Sequence, residues 1–168
     1  MFLSVNRACS DWLTALFPAL DHYLRTTARQ HASKGLSKTF VAVNDDNPDT
    51  VVGYFTLTIA EIAAELLPPA QRRRLPDAAL PVIKLARLAV DRNHQGQGIG
   101  GILLFEALQR AAAAQALTAA VAVLVEAKHA KAAASYAYYG FVAAPDNPLT
   151  LFMGFAPIRA LIEAIQKK

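Results

Sequence analysis

The chain has 168 residues, with 17 basic and 13 acidic side chains and a formal charge of +4. That length suits one compact domain, 1–168, with a single core. Apolar residues at 54% against 18% charged exclude a disordered chain. The longest uncharged apolar stretch, Ala111–Val125, carries Gln115 and Thr118 and falls short of the ~20 residues of a spanning helix. The first residues lack the basic-then-apolar pattern of a signal peptide. The lone Cys9 excludes an internal disulfide and a multi-cysteine zinc site. The expectation is a cytoplasmic protein with no membrane partner.

In chain order, Asp11–Phe17 and Leu20–Ala32 read as helical pieces separated by Pro18, and Gly35 ends the second. Thr39–Val43 and Val51–Ile59 are β-branched and aromatic runs around the turn formers Asp45, Asp46, Asn47 and Pro48, which predicts an antiparallel hairpin. Glu61–Leu75 reads as mostly helical, broken at Pro68-Pro69 and ending in Arg72-Arg73-Arg74. Val82–Val90 is aliphatic on both faces, the pattern of a buried central strand. Gly98–Ala114 predicts a helix with Ile102, Leu103, Leu104, Ala107 and Leu108 on its apolar stripe. Val121–Val125 predicts a strand parallel to Val82–Val90, joined to it by a right-handed crossover. A short helix Ala130–Tyr139 stops at Gly140, and a strand Thr150–Met153 and a helix Ile158–Ile165 complete the chain. The fold class is α/β, with a mixed central sheet flanked by helices.

Between the central strand and the long helix stands Asp91-Arg92-Asn93-His94-Gln95-Gly96-Gln97-Gly98-Ile99-Gly100-Gly101. Glycines opening a helix make an anion site, because first-turn N–H groups lack internal partners and the helix dipole is positive there. A P-loop is excluded, since no lysine and hydroxyl follow the glycines. Gly96, Gly98 and Gly101 match a dinucleotide fingerprint, with Glu126 at the end of the next strand. Against that reading, polar residues Asp91–Gln95 separate the strand from the glycines, and no second mononucleotide half is present. A third reading is Gln-x-x-Gly-x-Gly at Gln95, Gly98 and Gly100.

On that third reading, Leu85-Ala86-Arg87-Leu88-Ala89-Val90-Asp91-Arg92 followed by Gln95-Gly96-Gln97-Gly98-Ile99-Gly100 resembles the acetyl-CoA signature of the GNAT N-acetyltransferase superfamily. Tyr136-Ala137-Tyr138-Tyr139-Gly140-Phe141 is similar to that family's Tyr-x-x-x-Gly-Phe segment, in the family's order. Leu20–Arg25, Phe40–Val43 and Val52–Leu57 extend the resemblance to a branch that includes toxins of toxin–antitoxin pairs. The resemblance implies a splayed pair of parallel central strands and acetyl-CoA as cofactor. It implies pantetheine contacts at Leu88, Ala89 and Val90, and a pyrophosphate on the N–H groups of Gln95, Gly96, Gln97, Gly98, Ile99 and Gly100. The family tyrosine proposed to protonate the departing CoA thiolate matches Tyr136, with Tyr138 and Tyr139 as neighbours able to take that part. Phe141 reads as core. The family often has Phe before this tyrosine, where this chain has Ser135.

The acceptor amine must lose a proton to attack, and the central strand carries Lys84 and Arg87 but no carboxylate. This favours an amine of low pKa, such as an α-amine near 7.7–8.0 rather than a lysine near 10.4, helped by a water relay. Glu126 reads first as a surface carboxylate. The toxin branch implies the α-amine of an aminoacyl-tRNA, an antitoxin partner, and RNA contacts from Arg72–Arg74 with Arg25, Arg29, Lys34 and Lys38; a solvated basic face is the plainer reading of that run. A small-molecule amine or a protein N-terminus is the alternative acceptor, and a non-catalytic CoA-binding module the alternative class. The apolar C-terminal piece, Leu151–Ile165, can pair protomers as a homodimer or close the core. His22, His31, His94 and His129 have no metal-ligand spacing.

Overall fold

The computed structural model describes residues 2–4 and 18–167; Cys9 and the expected helix Asp11–Phe17 lie outside them. Two compact units are present, one of Met1–Thr58 with Ala86–Ala107, the other of Ile59–Leu85 with Leu108–Lys168. The seven strands bond in the order β1-β2-β3-β4-β5-β7-β6.

In the first unit, β1 (Phe2–Ser4) pairs antiparallel with β2 (Lys38–Val43), and β2 with β3 (Val51–Ala63). Phe40↔Phe55 and Val41↔Tyr54 set the β2–β3 register, so the predicted hairpin forms around its Asn/Asp turn. Helix α1 (Pro18–His22), a π-helical turn Tyr23–Thr27 and α2 (Ala28–Ser33) follow one another without a break. Gly35, at φ +68°, ends this run as expected. Leu20, Tyr23, Leu24, Ala28, Val41, Val43, Val51, Tyr54 and Ala89 form its core.

In the second unit, β5 (Ala122–Glu126) and β7 (Asn147–Gly154) pair antiparallel, with β6 (Val142–Ala144) outside β7. Strand β4 (Ala79–Val90) and β5 run parallel through Ile83↔Val123, Lys84↔Leu124 and Leu85↔Val125, and β4 continues past that register to Val90. Ile62, Ala64, Leu67, Leu80, Val82, Ala122, Leu124, Ala144 and Phe152 build this core.

Two expectations are corrected. Glu61–Leu75 is not mostly helical: β3 runs on to Ala63, a 3₁₀ turn covers Ala64–Leu66, and only α3 (Pro69–Arg72) is α-helical. Ile62 is buried while Glu61 and Ala63 are exposed, the period-2 alternation of a strand. The long helix α4 (Ile99–Thr118) buries Leu103, Leu104, Ala107, Leu108 and Ala111, but Ile102 is 56% exposed. One residue turns a helix by about 100°, which carries Ile102 off the buried arc. The short edge strands β1 and β6 have no sequence prediction behind them. Leu151, Phe152, Met153, Phe155 and Ile158 are buried within the chain, so this segment, including the start of α6 (Phe155–Gln166), closes the core.

Candidate active site

In the first unit the turn after β4 is built by side chains that tie the backbone down. Asp91 is 6% exposed, and its carboxylate accepts from Asn93 N–H (3.1 Å) and lies 2.8 Å from His94 Nδ1. It thereby caps the 3₁₀ turn Arg92–His94. Asp91 N–H donates to Val52 O (2.9 Å), and Gln95 Nε2 donates to Val90 O (3.1 Å). The turn is held at both ends, and the glycines between are left open.

Gly96 and Gly98 adopt φ of +76° and +80°, a region that costs an L side chain about 1–2 kcal/mol. No atom comes within 4 Å of where a Cβ would stand on either. The first helical bonds of α4 come from Gly101 N–H (3.1 Å) and Ile102 N–H (3.2 Å), both to Gly98 O. Among the described residues, the N–H groups of Gly96, Gln97, Gly98, Ile99 and Gly100 donate to no backbone carbonyl. They form a set of unused donors at the positive end of a helix of 20 residues. Leu88, Ala89 and Val90 lead into this turn, with Ala89 buried and Leu88 and Val90 half-buried. Gly53 on β3 lets the strands approach: a Cβ there would stand 2.9 Å from Ala89 O and 2.7 Å from Leu103 Cδ1.

The second unit holds the tyrosine. Helix α5 (Ala130–Tyr138) starts at His129, whose Nδ1 accepts from Ala132 N–H (3.1 Å), and ends in a left-handed Gly140 at φ +102°. That turn brings Phe141 N–H to Tyr136 O (3.2 Å) and the buried Phe141 ring edge-on to Tyr136, 5.6 Å between centroids. Tyr136 is half-buried, and burial pushes its phenol above the ordinary 10.0. Its hydroxyl bonds no other described residue, which leaves a protonated donor available. Tyr138, by contrast, is 85% exposed. Phe141 is core, as expected.

Glu126 Oε2 lies 2.5 Å from Lys84 Nζ, and the pair is partly exposed. This is the surface carboxylate that the sequence suggested. Arg72 is occupied by Asp77 (2.9 Å) and Glu65 (3.9 Å), while Arg73 and Arg74 are exposed. Among the described residues no cluster could hold a metal ion, and no helix is long and apolar enough to cross a membrane. Sequence reasoning missed Asp91, whose Asp-x-Asn-His spacing was the available cap signal, and Gly53, for which no local signal exists.

Residues 6–141 match the Acetyltransferase (GNAT) family. The chain is 40% identical over 145 residues to the tRNA-acetylating toxin of Mycobacterium tuberculosis (strain ATCC 25618 / H37Rv), covering 86% of this chain and 85% of the toxin. Among solved structures, AtaT complexed with acetyl-methionyl-tRNAfMet superposes with a TM-score of 0.85 at 24% identity, covering 96% of this chain and 98% of that one. A tyrosine-to-phenylalanine variant of the AtaT toxin, bound to the C-terminus of the antitoxin AtaR and to acetyl-CoA, superposes at 0.76 with 26% identity, over 96% and 95% of the chains. The mixed sheet, the glycine turn and the family match converge: the chain belongs to the GNAT acetyltransferase family.

Proposed function

We propose that this protein is an acetyl-CoA-dependent N-acetyltransferase that caps the α-amine of an aminoacyl-tRNA in the cytoplasm, as the toxin of a toxin–antitoxin pair. The observation that carries this reading is the 40% identity over 145 residues to a tRNA-acetylating toxin. The solved AtaT complex with its antitoxin and acetyl-CoA supports the cofactor and the class of protein partner.

The residues fit acetyl-CoA. The N–H groups at Gly96–Gly100 that have no backbone partner among the described residues, and the open space beside Gly96 and Gly98, suit a pyrophosphate that must approach the backbone closely. Gln95, Gly96, Gln97, Gly98, Ile99 and Gly100 hold that group, and Leu88, Ala89 and Val90 bind the pantetheine amides through strand-type hydrogen bonds. When bound, acetyl-CoA supplies an acetyl thioester open to attack by an amine. Tyr136 holds a proton at its Oη and gives it to the departing thiolate sulfur.

No carboxylate lies on β4, and Glu126 is paired with Lys84. An α-amine, partly neutral at pH 7, suits that setting better than a lysine. Exposed Arg29, Lys34 and Lys38 in the first unit, and Arg73 and Arg74 in the second, supply cations for a phosphate backbone.

The test incubates the purified protein with acetyl-CoA and charged tRNA and analyses the aminoacyl end. The expected product is the N-acetylated aminoacyl ester, formed at a rate that falls steeply with salt. Acetylation only of small amines or protein N-termini would replace the acceptor. CoA binding without acetylation of any amine would leave a binding module.

A further inference from the structure

Arg87 stands on β4 immediately before Leu88, and the strand's alternation puts it on the face of Leu85 and the core residue Ala89. It is half-buried. Its guanidinium lies over the ring of Tyr23, 3.6 Å from the centroid. Tyr23 is itself fixed: it is 4% exposed, its hydroxyl is 3.1 Å from Ser37 Oγ, and its ring meets His31 edge-on at 5.7 Å. Tyr23 also opens the π-helical turn Tyr23–Thr27, a distortion that recurs at functional sites.

The ring covers one face of the guanidinium and leaves the N–H donors around its edge. Among the described residues, Arg87 has no carboxylate and no carbonyl partner. A stacked guanidinium is a preorganised planar fork, and a half-buried one keeps edge donors that a ligand's acceptor can meet. On the central strand, beside the stretch assigned to pantetheine, the fork can direct its N–H donors at one carbonyl oxygen.

We propose that Arg87 is a specificity-determining residue of the acceptor site: held flat on Tyr23, it donates to the ester carbonyl oxygen of the aminoacyl group whose α-amine is acetylated. This inference rests on the proposed aminoacyl-tRNA reading and deepens it. The carbonyl carbon is bonded to the carbon that bears the amine, so fixing the carbonyl fixes the nucleophile. A deacylated tRNA has no such carbonyl.

The test compares the wild type with Arg87→Met and Arg87→Lys, using charged tRNA, deacylated tRNA and acetyl-CoA. The wild type binds charged tRNA more tightly than deacylated tRNA. In Arg87→Met that preference collapses and kcat/KM for charged tRNA falls about 10–100-fold, the worth of one charge-assisted hydrogen bond. Affinity for deacylated tRNA and for acetyl-CoA stays within about twofold. Arg87→Lys keeps the charge but not the fork, and recovers little of the preference. Tyr23→Leu, which removes the platform, reproduces the loss. The melting temperature and acetyl-CoA binding report folding, and the milder Arg87→Lys keeps the test open if the Met variant does not fold. An unchanged preference in a folded variant overturns the proposal. So does an equal loss of charged and deacylated tRNA, which would make Arg87 a phosphate contact. Failure of the wild type to acetylate any charged tRNA overturns instead the reading on which the proposal rests.

Discussion

In the turn Asp91–Gly100 the groups proposed to act are backbone N–H groups; in α5 the group proposed to act is one phenol, that of Tyr136. The turn spends its side chains on holding the backbone: Asp91 caps, Gln95 ties back to Val90, and Gly96 and Gly98 take left-handed conformations. Helix α5 spends its backbone on holding a side chain, with Gly140 folding Phe141 under Tyr136. A site made of backbone is damaged by adding atoms, and a site made of one hydroxyl by removing one. The two are therefore expected to fail in different observables, affinity for acetyl-CoA in the first and turnover in the second.

The largest effect expected from a single substitution is at Tyr136. Tyr136→Phe removes the proposed acid and should lower kcat by about 10²–10⁴-fold, with acetyl-CoA affinity held within about twofold by calorimetry. A loss of affinity instead would place Tyr136 with the binding groups and erase the contrast. Next is Gly98→Val. A β-branched residue at φ +80° is strained by about 1–3 kcal/mol, so the loop shifts. Acetyl-CoA binding should weaken about 5–100-fold, while kcat at saturation changes far less. Gly53→Ala sharpens the same point, because its clash is with Ala89 O and Leu103 rather than with open space. It should cost stability, about 1–3 kcal/mol, as read by denaturant unfolding.

A smaller effect concerns pH. Burial raises the Tyr136 phenol above 10.0, and burial likewise raises Tyr54, whose hydroxyl donates to Leu20 O (2.6 Å). Both are protonated in the folded state at a pH where the unfolded chain begins to ionise. The folded state then binds more protons, so stability falls as pH rises. The contribution is complete below pH 10.0 and is lost above it. A melting temperature flat from pH 10 to 12 would contradict this, as would an alkaline limb of kcat well below 10 assigned to Tyr136 by the Phe variant. The smallest expected effect is at Glu126→Gln. The Glu126 side chain is 58% exposed, so its pair with Lys84 is screened and worth under about 1 kcal/mol, and kcat should change less than about twofold. A large drop in kcat would turn the surface carboxylate into a base.

The glycine turn was readable because its signal is local. Glycines, a polar lead-in and a helix start occupy adjacent positions, and the physics they report acts over the same short range. The packing of Tyr136 on Phe141 was readable for the same reason, through its spacing to Gly140 and Phe141. Glu61–Ala63 was misread because Glu, Ile and Ala fit a helix as well as a strand in isolation; here they continue β3, whose alternation buries Ile62 against the second core. Strands β1 and β6, three residues each, are too short to show a period, so their pairing with β2 and β7 defines them.

By itself, then, the sequence determined the family, the mixed sheet and the glycine turn that opens α4, all written in short runs of neighbouring residues, while the roles of that turn and of Tyr136 stand as proposals. Only the tertiary structure decided which cations are already occupied: Arg72 is held by Asp77 and Glu65, Lys84 is held by Glu126, and Arg87 rests on Tyr23 with no acidic partner among the described residues. The formal charge of +4 treats these side chains alike. The partners of Lys84 and Arg87 lie far from them in sequence, and only folding brings them within reach.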